Sequence, residues 1–353
     1  MKIMKKVFMI SMMSILMAGM MISSCSESRD EQQPESAGNA IRFNAAAPVA
    51  TRVAPTTSAT LDKFVVYAYT NGVMFMDNVL VSRQGGSWVY TPLAYWPATP
   101  VNFYAVSPVI TNSTDVGSGG NGTIPNYNNN GQTDLLYAVS LNEYSRQAPV
   151  RLNFRHAMSD VNVMLSSENQ SVEVKVGHVS LKNISMQGTF NFPKASTTAE
   201  EGGAGDWTDL GKKQDLLLTY YFEKSDFATL TDTPVNLTLD NLNVNFMLPQ
   251  PLTAYSYTAT GGYIGSYIQI DCEIFDRASG KKIWPNEDTP PSQLVAESDL
   301  GLMAFPLTTE TVTEWKPGYS YIYNVVIDYP TDHNPIRFDV TVDEFQTGMP
   351  AGQ

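Results

Sequence analysis

The sequence predicts an all-β protein built from two β-sandwiches in tandem. Three observations carry that expectation. Aromatic residues are abundant, with 18 Tyr, 15 Phe and 5 Trp, and these residue types favour the half-buried surface of a sheet. Short apolar segments recur along the chain, many with every second residue polar, as strands with one buried face require. No long stretch keeps a period of 3.6, and residues 210–220 offer a short helix at best.

Composition bounds the class. The 353 residues include 22 Lys+Arg against 35 Asp+Glu, a net charge of −13. An acidic surface repels nucleic acid and anionic lipid headgroups. Only 16% of residues are charged and 43% are hydrophobic, which excludes a disordered acidic tail. The length exceeds what one core usually serves, so two domains are expected.

The first segment, residues 1–24, is a secretory signal. Lys2, Lys5 and Lys6 precede an apolar run over residues 7–22 that ends in Ile22-Ser23-Ser24-Cys25. The run is short for a spanning helix of about 20 residues. Its end resembles a bacterial lipobox, which implies that Cys25 receives lipid through a thioether and becomes the first mature residue. An ordinary cleaved signal and an uncleaved anchor helix are the alternatives. Loss of the three lysines leaves 19 basic residues against 35 acidic ones, near −16. Residues 25–39 follow as a flexible tether, polar and without apolar periodicity. The acidic start of the tether is similar to export signals of surface-exposed lipoproteins of Bacteroidetes. The bulk of the protein then stands in water, moored to a membrane.

Strand signals fill the rest. They include residues 64–69 (FVVYAY), 101–106, 135–141, 150–158, 161–165, 172–176 and 179–184, and later 235–239, 242–248, 267–275, 319–327 and 336–342. Val150, Leu152, Phe154 and Met158 share one phase, whereas Val161, Val163 and Leu165 share the other. That switch requires a turn or bulge near Ser159-Asp160, because one extra residue reverses which side chains point inward. Residues 111–133 and 194–209 read as long Asn/Gly/Ser-rich loops. A polar break at residues 166–170 (SSENQ) divides the chain into an N-terminal domain, 40–168, and a C-terminal domain, 169–353.

Little in the sequence points to catalysis. The two cysteines, Cys25 and Cys272, and three histidines, His156, His178 and His333, form no zinc-ligand spacing. His156 lies in the inward phase as a core histidine, while His178 and His333 adjoin turn signals and read as solvated. Cys272 shares a phase with Ile268, Ile270 and Ile274, as a buried small hydrophobe does. The Asp and Asn residues near 111–134 lack the spacing of a calcium loop. No nucleophile elbow, phosphate loop or dinucleotide fingerprint occurs. The expectation is no enzyme, no cofactor and no metal. Tyr95-Trp96 and Trp207 suit either sugar stacking or a core.

Several segments, taken in order, resemble the fimbrillin family of Bacteroidales, the type V pilin-like lipoproteins. They are Ile41-Arg42-Phe43 with Thr51-Arg52, residues 64–69, Trp88-Val89-Tyr90, Tyr95-Trp96-Pro97 and 101–108 (VNFYAVSP). Residues 152–159 (LNFRHAMS), 315–321 (WKPGYSY) and 336–342 (IRFDVTV) complete the set. One departure is Phe345, where many members end the last strand with Trp. The resemblance implies transthyretin-like sandwich domains. It also implies a trypsin-like, Arg-specific maturation protease that cuts near the first strand, and a neighbouring subunit whose strand fills the vacated groove. Arg52, in a small-residue, turn-like stretch, is the first choice for cleavage and Arg42 the second.

The displaced strand would carry Ile41, Phe43, Ala45, Ala47 and Val49, which alternate with polar or small residues. The donor strand would carry Ile336, Phe338, Val340 and Val342 in one phase. The implied role is a structural subunit of surface fimbriae at the outer membrane, in stalk, anchor or tip position. Its partners would be other subunits, the protease and, for a tip, a host or bacterial receptor. A monomeric surface lipoprotein that binds a glycan or host ligand is the alternative.

Overall fold

A computed structural model describes residues 39–47, 60–110, 116, 122–129, 133–145, 148–198, 204–237, 245–258, 262–328 and 337–344. All of them belong to one unit, Gly38–Gln353. The protein is all-β as the sequence predicts. Helical structure among the described residues is confined to short 3-10 turns, such as Lys224–Asp226 and Pro291–Gln293. No helix there is long and apolar enough to cross a membrane.

The N-terminal sheet is antiparallel. Its order is Ser87–Val89, Val73–Gln84, Lys63–Thr70, Val101–Ser107, Leu136–Glu143 and Arg155–His156. The central strands are buried on both faces, which explains why they read as unbroken apolar runs. Phe64, Val66, Ala68 and Phe103 point to one face and pack with Ile41 and Phe43. Val65, Tyr67, Tyr69 and Tyr104 point to the other and pack with Phe190, Phe192, Phe246 and Leu248. The second face is therefore closed by residues from the C-terminal half. The same coupling appears in the ladder of Gln187–Asn191, which pairs with Thr123–Asn128 on one side and Asp206–Thr208 on the other.

The C-terminal half pairs Lys213–Tyr220, Val172–Ser185, Tyr267–Asp276 and Lys282–Trp284 in one sheet, with Gly301–Pro306 also against Tyr267–Asp276. A second sheet places Ser159–Ser166 parallel to Tyr319–Val326, and Arg337–Glu344 antiparallel to the latter. Val161, Val163 and Leu165 join Val174, Leu181, Ile270 and Tyr323 in one buried cluster, which thus begins before residue 168. Trp315 closes it. The Trp315 indole donates to the Tyr323 hydroxyl at 2.9 Å, and that hydroxyl donates to the Leu307 carbonyl at 2.9 Å. The buried polar atoms are thereby satisfied.

Several expectations need correction. Residues 213–220 form an edge strand and not a short helix, because pairing with Val172–Ser185 outweighs local propensity. The segments expected at 172–176 and 179–184 are one strand with a register shift between Val176 and His178. Gly177 lies at that bulge, where an added Cβ would stand 2.9 Å from Leu300 Cδ1. The bulge keeps Val172, Val174 and Val176 on the same face as Val179 and Leu181. The loops expected at 111–133 and 194–209 contain the strands Thr123–Asn128 and Asp206–Thr208, each recruited by Gln187–Asn191.

His178 is half-buried and not solvated. It stacks on Tyr220 at 4.3 Å, and its Nδ1 lies 3.1 Å from Asp271 Oδ2. The phase switch near Ser159 is real: the chain leaves the first sheet after His156 and re-enters strand at Ser159. His156 is buried, with Nδ1 2.7 Å from Asp134 Oδ1. Cys272 is fully buried, and burial pushes its thiol pKa up. His333 lies outside the described residues.

Candidate strand-exchange site

Residues 39–47 form a ribbon held from both sides. On one side the Phe43–Ala46 strand runs parallel to Val150–Asn153, with Phe43 opposite Val150 and Ala45 opposite Leu152. The Val150 amide donates to the Arg42 carbonyl at 2.8 Å and the Phe154 amide to the Ala46 carbonyl at 2.7 Å. On the other side, Ala40 bridges Tyr95, and the Ile41 amide donates to the Ala94 carbonyl at 2.9 Å. The Tyr90 hydroxyl donates to the Ile41 carbonyl at 2.9 Å. Burial holds the Tyr90 phenol above its ordinary pKa.

Burial along the ribbon alternates from Ile41 to Asn44 and breaks at Ala46, which is buried like Ala47. Ile41 is fully buried, Phe43 and Ala47 are buried, Ala45 is half-buried, and Arg42 and Asn44 are exposed. The Phe43 ring meets Tyr90, Phe103 and Phe64 at centroid distances of 5.5, 5.7 and 6.4 Å. Full burial of Ile41 and Phe43 stabilises the seated ribbon by roughly 1.5–3 kcal/mol each. Val150–Asn153 has no other ladder partner among the described residues. Removal of the ribbon would leave an open edge above an aromatic floor.

The C-terminal strand occupies a different place. Arg337–Glu344 lies at the edge of its sheet, with Phe338 opposite Val325, Val340 opposite Tyr323 and Val342 opposite Tyr321. Val340 is half-buried and Val342 is 42% exposed. Cys25, Val49, Arg52 and Ile336 lie outside the described residues. Tyr95 and Trp96 serve the site structurally: Trp96 is buried and packs edge-on against Phe103 at 5.8 Å, so its face cannot stack on a sugar. Trp207 packs against Phe190 and donates from Nε1 to the Ala157 carbonyl at 2.7 Å. Sequence reasoning missed the roles of Tyr90 and Ala94, whose signal was an aromatic-rich stretch without a periodicity of its own. No group of three or more His, Cys, Asp or Glu side chains that could hold a metal ion occurs among the described residues.

The fimbrillin-like family model matches residues 51–344. The chain belongs to the fimbrillin-like family. Among solved structures, this fimbrillin-like chain is similar to a fimbrial protein from Bacteroides vulgatus. That match is 14% identical, covers 87% of this chain and 99% of the other, and has a TM-score of 0.53. A candidate cell-adhesion protein from Bacteroides uniformis matches at 14% identity over 87% and 100% of the two chains, with a TM-score of 0.50. The tip fimbrial protein Mfa3 from Porphyromonas gingivalis is 10% identical over 86% and 99%, with a TM-score of 0.42. The first two likenesses show a shared fold. No curated protein matches the chain in sequence.

Proposed function

We propose that this fimbrillin-like protein is a structural subunit of cell-surface fimbriae, exported as an outer-membrane lipoprotein on Cys25 and released by an Arg-specific protease. Once cut, it polymerises by strand exchange. The two sandwiches are proposed to be transthyretin-like. The observation that carries the reading is the seated ribbon: a short strand at the N-terminal end of the fold, paired on both sides, with Ile41 and Phe43 buried in the first core. The Arg42 carbonyl is engaged by Val150, which disfavours cleavage there while the ribbon is seated and favours Arg52.

A cut after Arg52 severs lipid and ribbon together from the body. The subunit then carries an unpaired edge that a neighbour's strand can fill. The proposed donor is the C-terminal strand with Ile336, Phe338, Val340 and Val342. Its partners are further subunits, the protease, the outer membrane through Cys25 and, at a tip, a receptor.

Limited digestion with trypsin tests the reading. The expected result is a new N-terminus at Val53, release of the ribbon and growth of oligomers on size-exclusion chromatography. A digest in which Val53 never appears as N-terminus, or in which the cut chain stays monomeric, overturns it.

A further inference from the structure

The ribbon and the C-terminal strand share a tripeptide. Residues 41–43 and residues 336–338 are both Ile-Arg-Phe, and the tripeptide occurs nowhere else in the chain. Each copy is followed by a short polar residue, Asn44 or Asp339. We propose that the C-terminal strand of a second copy replaces the ribbon in a single register, with Phe338 in the place of Phe43 and Val340 in the place of Ala45. The donor then runs parallel to Val150–Asn153. This inference rests on the strand-exchange reading above and adds the register to it.

The slot itself selects that register. Phe43 fills a pocket ringed by Tyr90, Phe103 and Phe64. A shift of one residue would drive Arg337 or Asp339 onto that apolar floor, and a shift of two would leave Val340 in a space shaped for Phe. In the proposed register Asp339 takes the exposed position of Asn44, and Arg337 the exposed position of Arg42. Ala45 is only half-buried, so Val340 has room for its two extra carbons. Ile336, outside the described residues, falls by sequence on the Ile41 position.

The fit strains at one end. Ala46 and Ala47 are buried, so Thr341 and Val342 bring excess volume there. Leaving home costs the donor one ladder, its eight-residue pairing with Tyr319–Val326. Its strand is paired on one flank only among the described residues, and Val342 is 42% exposed.

Cysteine pairing in the full chain, trypsin-processed and then oxidised, reads the register. Asn44 stands opposite Arg151 and Ala46 opposite Asn153. The double variant Arg151→Cys with Asp339→Cys is expected to give a covalent ladder on a non-reducing gel. The pair Asn153→Cys with Asp339→Cys, which reports a two-residue shift, is expected to give none. Polymers that assemble without the first crosslink, or with the second, overturn the register while exchange itself stands. A processed native chain that never polymerises removes both, as does a ribbon that stays seated after cleavage.

A synthetic peptide of residues 335–344, added to the processed native chain, keeps the test independent of how the cysteine variants fold. Phe338→Ala in the peptide should weaken binding on the order of 100-fold, and Val342→Ala should tighten it. Equal binding by the Phe338→Ala peptide overturns the proposal.

Discussion

Phe43 meets Phe103 edge-on, with ring centroids 5.7 Å apart and planes at 83°. This arrangement sets the positive edge of one ring against the negative face of the other. The contact joins the ribbon to a central strand of the N-terminal sheet, so the first strand of the fold is anchored at the middle of a core and not at its rim.

Truncation of Phe43 should therefore loosen the ribbon and nothing else. Phe43→Ala is expected to cost the unprocessed chain about 3–5 kcal/mol of stability, read from urea unfolding. After trypsin has removed the ribbon, variant and parent should unfold alike. A difference that persists after processing would place the role of Phe43 elsewhere.

Asp160 makes stability depend on pH. It accepts hydrogen bonds from Asn162 at 2.7 Å, Ser320 at 2.9 Å and the Asn245 amide at 3.4 Å. Burial outweighs these donors, with a small push from Asp134, and raises its pKa to about 6. The folded value lies above the unfolded one of 3.8, so the folded state binds the proton more tightly. The stabilisation is complete below about pH 4 and is lost as pH rises through 6. Asp160→Asn should remove this slope. Between pH 4 and 7.5 the variant should gain on the parent by roughly 2–3 kcal/mol, measured by urea unfolding at each pH. A constant difference would mean that Asp160 titrates normally.

Gly318 turns the chain into the Tyr319–Val326 strand with φ +75°, and its amide donates to the Met158 carbonyl at 2.8 Å. A side chain in that left-handed conformation costs about 1–2 kcal/mol. Gly318→Ala should lower stability by that amount in a thermal melt. No change would show that the turn relaxes freely.

Cys272 should be silent to thiol reagents in the native protein, because it is fully buried and its thiol pKa is raised. Denaturation should expose it. If Cys25 carries the proposed thioether, the full chain purified from membranes is expected to release one titratable thiol in urea. Two thiols would refute lipid attachment at Cys25.

The alternation of Ile41, Phe43 and Ala47 was legible in the sequence because a strand's side-chain period of 2 leaves a direct trace. So were the buried phase of His156 and the packing of Cys272. The bulge at Gly177 was not legible: a one-residue insertion that restores phase looks like a gap between two strands. Lys213–Tyr220 was misread because its Leu216-Leu217-Leu218 run fits a helix as well as a strand, and only its neighbour Val172–Ser185 decides.

By itself the sequence determined that the chain is β-structured and that two segments share an alternating apolar face. Those are properties of local order along the chain, where side-chain chemistry and spacing suffice. Tertiary structure alone decided which strand lies beside which. It placed the ribbon against Val150–Asn153 and the C-terminal strand against Tyr319–Val326, and it sealed the N-terminal sheet with Phe190 and Phe246 from far along the chain. Such pairings depend on burial shared between distant residues, and no single segment carries a record of its partner.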